Sequence, residues 1–178
     1  MPKVDTILVD VMKEVVASMV VANPLGGNFS INYEPGRSNQ IIASIIDLDN
    51  SITMKGLKYP LLAMVMPVRI SKGTPFAGMV RIPRIVIATL TKTRLGNETV
   101  LSKYDSSGTF KTILYPIYNE FLKRLAMHPN INCSDPESIE HEMEDNPGQQ
   151  PITESLTDYI DSIEILNLKF NLLQTKTC

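Results

Sequence analysis

Apolar residues at the start of the chain recur three and four positions apart. Val4, Ile7, Leu8, Val11, Met12, Val15, Val16 and Met19 make one stripe on a helix. Asp5 is a candidate N-cap for it, and the breaker cluster Asn23–Gly27 ends it. Phe29, Ile31 and Tyr33 then alternate with Ser30 and Asn32, which predicts a short strand before a turn at Glu34–Arg37. From Ser38 to Asp47 the signals compete. Ile41, Ile42, Ile45 and Ile46 share a helical face, while their β-branching favours a strand; Ser38 as a cap decides for a short helix.

After a polar stretch from Asp47 to Lys58, the apolar run Tyr59–Pro67 is bounded by prolines and reads as a buried strand. Arg69–Pro75 reads as a connection into a long β-branched strand, Phe76–Thr91, in which Pro83 requires an edge position or a bulge. Lys92–Thr109 is a polar loop carrying Gly96 and Gly108. Phe110, Ile113, Leu114, Ile117, Tyr118, Phe121, Leu122 and Leu125 then form the apolar face of a helix reaching Met127, with Pro116 near its start. Near the C-terminus Leu166, Leu168, Phe170 and Leu172 alternate with Asn167, Lys169 and Asn171, which predicts a strand over Ile163–Leu173 with one wet face. The elements sum to an α+β domain: a mostly antiparallel sheet, two main helices and one short helix, with the helices on one face. Residues 1–128 form the core, 129–158 an acidic loop or arm, and 159–178 a terminal strand completing the sheet.

Composition changes this picture little. At 178 residues the chain suits one domain that buries about 70% of its unfolded surface, and 43% hydrophobic and 20% charged residues are ordinary globular usage. Cys133 and Cys178 have no metal-binding spacing and read as free thiols. Asp5 and Asp10 interrupt any N-terminal signal pattern and no run approaches a membrane span, so a cytoplasmic site of synthesis is expected.

Charge changes it more. Residues 1–126 carry 15 Lys and Arg against 9 Asp and Glu, a net +6, whereas residues 127–178 carry 2 against 10, a net −8. Asp135, Glu137, Glu140, Glu142 and Glu144 lead the acidic run, and no basic residue falls between Leu125 and Leu168. Such a run is either a solvated loop or an arm that docks on a basic surface of a neighbouring subunit. Arg81, Arg84, Lys92 and Arg94 are the candidate basic group.

Catalytic, cofactor and metal patterns are missing from the sequence. His128 sits in a terminal helical turn and His141 in the acidic run, neither beside a candidate nucleophile. The cluster Glu137–Glu144 lacks the order of a metalloprotease helix or a calcium loop. Pro24–Asn28 holds two glycines without the rest of a phosphate loop, and no aromatics interleave the arginines of the long strand as single-strand nucleic-acid binding requires. No catalysis, cofactor or metal is expected.

Four segments in order, Lys58–Leu62, Ile82–Thr91, Phe110–Tyr118 with Phe121-Leu122, and Tyr159–Leu168, resemble a family of small neck or tail proteins of tailed bacteriophages and prophages of Bacteroidetes hosts. The element order is also similar to tail-terminator and head-to-tail connector proteins. The resemblance implies a virion structural protein, assembled in the host cytoplasm into a homo-oligomeric ring with portal, neck or tail proteins as partners. DNA would be cargo through the lumen and no membrane would be involved. The long acidic run departs from that pattern. The alternative is a small non-catalytic binding or regulatory protein of a prophage or mobile element.

Overall fold

The computed structural model describes residues 4–50, 58–72, 79–90, 100–131, 139–149 and 159–172. Three helices, α1 (Val4–Ala17), α2 (Ser38–Asn50) and α3 (Tyr115–Met127), surround one six-stranded sheet. Its strands are β1 (Asn32–Gly36), β2 (Leu61–Lys72), β3 (Met79–Leu90), β4 (Glu142–Gln149), β5 (Ile160–Leu166) and β6 (Phe170–Asn171). They lie in the order β1-β2-β3-β5-β4, with β6 also pairing with β3. β1 and β2 run parallel and every other pairing is antiparallel.

Strand alternation divides the core into two layers. Leu62 and Met64 of β2, Ile85 and Ile87 of β3, and Ile163 and Ile165 of β5 point to one face. There they meet Leu8, Val11, Met12 and Val15 of α1 and Ile117, Phe121 and Leu125 of α3. Leu61, Ala63 and Ala88 point the other way and pack on Ile41 and Ile45 of α2. The expected placement of all helices on one face is therefore corrected: α2 covers the opposite side, because two adjacent buried strands offer apolar residues on both faces.

Four strand limits also differ from expectation. β1 begins three residues later than the Phe29–Tyr33 pattern and runs through the expected turn at Glu34–Gly36. Pro35 is tolerated because β1 is an edge strand with a ladder on one side only. β2 passes through its terminal proline and continues to Lys72 after an irregularity between Val65 and Arg69. Pro83 of β3 lies across from that irregularity, since Arg84 pairs with Val65 and Ile82 with Arg69. Of the two sites open to Pro83, the bulge is the one used. The expected strand Ile163–Leu173 is broken at Asn167, whose φ of 53° turns the chain between β5 and β6.

The predicted helix from Phe110 has a wider first turn. Residues Phe110–Leu114 are π-helical, with the Tyr115 N–H donating to the Phe110 carbonyl five residues back. Pro116 explains the change of register, because it has no N–H to give the Thr112 carbonyl. Part of the acidic run is sheet: residues 142–149 form β4, the edge strand beyond β5.

Candidate interaction surface

Several polar side chains of the interior are tied to one another. The short 3₁₀ segment Val100–Tyr104 and the π turn bring Lys103 and Thr109 over the start of β5. Lys103 Nζ lies 2.8 Å from Asp161 Oδ1, and Thr109 Oγ1 donates to Asp161 Oδ2 at 2.5 Å. Their side chains are 2% and 0% exposed for Lys103 and Asp161, so the pair is closed to any substrate. Tyr115 donates to Asp145 Oδ2 at 2.6 Å, and Tyr104 stacks on Phe110 with centroids 4.5 Å apart. Burial, and then the Asp145 carboxylate, hold the Tyr115 and Tyr104 hydroxyls protonated well above the usual phenol range. This cluster joins β4 and β5 to the head of α3.

Both histidines are held in single roles by their partners. His141 Nδ1 donates to the Ile139 carbonyl at 2.7 Å, which leaves Nε2 to accept the Tyr118 hydroxyl at 2.5 Å. His128 Nδ1 accepts the Asn130 N–H, and Nε2 meets Glu14 at 3.1 Å, tying the end of α3 to α1. Among the described residues no group of three or more His, Cys, Asp or Glu side chains could hold a metal ion, and no helix is long and apolar enough to cross a membrane.

The sequence-selected charges fall into three groups. Arg81 is buried within β3, opposite Ile70 on one side and Phe170 on the other. Arg84 and Glu140 are exposed but matched within the chain: Arg84 reaches Glu164 Oε2 at 2.5 and 3.0 Å, and Lys169 reaches Glu140 at 2.5 Å. Glu142 and Glu144 stand exposed on the sheet edge. Lys92, Arg94, Asp135 and Glu137 lie outside the described residues. Arg84 and Glu140 thus each meet a charge outside the selected set, Glu164 and Lys169.

Sequence reading missed Arg69. It stands exposed on β2 and borders a surface depression of about 510 Å³ together with Val65, Pro67, Ile82, Arg84 and Leu166. Its signal was available in the alternation of Val68, Arg69 and Ile70, which continues the strand beyond Pro67. Neither a known protein-family model nor a curated protein matches this chain.

Proposed function

We propose that this chain is a structural subunit of the neck or tail of a tailed bacteriophage, assembling with copies of itself and with adjoining neck, portal or tail proteins into a ring, and performing no chemistry. The observation that carries this reading is the separation of charge between neighbouring strands of one sheet. β2 and β3 carry Arg69, Lys72, Arg81 and Arg84 and no acidic residue. β4 and β5 carry Glu142, Glu144, Asp145, Asp161 and Glu164 and no basic residue. A subunit polarised from one side of its sheet to the other suits head-to-tail contact, and head-to-tail contacts that close make rings.

The resemblance to phage neck and tail proteins supports the same reading. Its segments fall on β2, β3, the head of α3 and β5, which are neighbours in the fold and build one framework. Proteomic analysis of purified phage particles from the strain encoding the chain tests the proposal, followed by gold-labelled antibody imaging. The chain should be present at fixed stoichiometry, with label at the head–tail junction or along the tail. Its absence from intact particles overturns the proposal.

A further inference from the structure

We infer that β4 of one copy adds to the free half of β2 in the next copy, so that one sheet continues through the assembly. This rests on the assembly reading and gives it a contact.

β1 accompanies β2 only as far as the pair Gly36–Val65. From Arg69 to Lys72, β2 pairs with β3 alone, and its outer side has no strand beside it among the described residues. β4 closes the sheet on the other side, and among the described residues its outer side is likewise open. An open edge is a template for another strand, and its side chains decide which one. Two β4 edges meeting each other would set Glu142, Glu144 and Asp145 against the same residues, an arrangement that like charges oppose. The basic edge of β2 is the complementary choice.

The faces agree. Arg69 is opposite Ile82 and therefore shares a face with Arg84, while Ile70, opposite Arg81, points to the other. Glu144 is opposite Glu164, on the face of Arg84, and Met143, opposite Ile165, is on the other. Continuing the sheet thus brings Arg69 and Glu144 onto one face and Ile70 and Met143 onto the other. Ile70 is 43% exposed and Met143 42%, two large apolar side chains left in water by the single chain.

The directions agree as well. Following the pairings β2–β3, β3–β5 and β5–β4, each antiparallel, β4 runs opposite to β2. A neighbour in the same orientation then offers β2 antiparallel to β4. In that arrangement the register that sets Ile70 across from Met143 also sets Arg69 across from Glu144. Relative to β3 the junction steps from Val86, level with Glu144, to Ile82, level with Arg69. That is a stagger of about 13 Å at the usual rise per residue, which a closed ring accommodates by tilting its strands.

The test is charge exchange in the full-length chain, followed by sedimentation velocity at about 0.05 M and about 0.5 M salt. Wild type should self-associate at the lower salt and weaken at the higher. Arg69→Glu and Glu144→Arg should each weaken self-association at least about tenfold. Mixing the two variants should restore it, because each then offers the other an opposite edge, and the double variant should assemble alone. Wild type that stays monomeric at low salt overturns the inference. So does assembly that both single variants retain. Neither result touches the ring reading, which fails only if the chain is missing from phage particles.

Discussion

Asp161 has no water to turn to if its partner is lost. The Lys103 ammonium and the Thr109 hydroxyl satisfy both its oxygens inside the protein, and an ion left alone in such a site is costly. Asp161→Ala should lower unfolding free energy by about 3–5 kcal/mol in urea titrations. The double replacement Lys103→Met with Asp161→Leu should recover most of that loss, since a well-packed apolar pair can replace a buried ion pair. Tyr115 gives a pH test. Burial and Asp145 raise its folded-state pKa, so its contribution is complete below the unfolded value near 10 and is lost as pH rises beyond it. Tyr33, Tyr104 and Tyr118 are raised in the same direction. Alkaline unfolding monitored by tyrosine absorbance should set in above about pH 10, and Tyr115→Phe should flatten part of that slope while costing about 1–3 kcal/mol at neutral pH. None of these ties was legible in the sequence. Lys103 lay in an apparent polar loop and Asp161 in the segment read as a terminal strand, 58 positions apart, and no local pattern joins residues that only the sheet brings together.

Elements were legible wherever period and burial coincided. α1 and α3 show their stripes because each buries one face, and α2 was resolved correctly from four isoleucines and Ser38. β4 was missed, and β1 was placed three residues early, for a common reason. Both are edge strands, with Pro35 in one and Pro147 in the other, and both bury too little to display alternation. The head of α3 depends on a residue that sequence reading took only as a loop marker. A Cβ on Gly108 would stand 2.1 Å from the Lys103 carbonyl oxygen, a backbone atom that cannot swing aside. Gly108→Ala should therefore displace the turn before Phe110 and destabilise the protein by about 3 kcal/mol, measurable by thermal melting. It should also loosen the Lys103–Asp161 contact, so its effect should not add to that of Asp161→Ala.

At the scale of the whole molecule, the charge split seen in the sequence became a division between two sides of one sheet, with β2 and β3 basic and β4 and β5 acidic. The candidate basic surface moved with it, from Arg81, buried in β3, to Arg69 at the open part of β2. Assembly driven by that split should fall steeply with ionic strength, which light scattering across a salt series would record. The central position of β3 has a further consequence, in time and not in space. Its residues Ile85–Leu90 find β2 at once, but their other partner, Ile160–Ile165, is encoded about 75 residues later. At ordinary rates of synthesis the nascent chain waits roughly 4–15 seconds with that apolar strand open on one side. During those seconds another nascent chain can offer β3 the partner it lacks, so the yield of soluble protein depends on how crowded the ribosomes are.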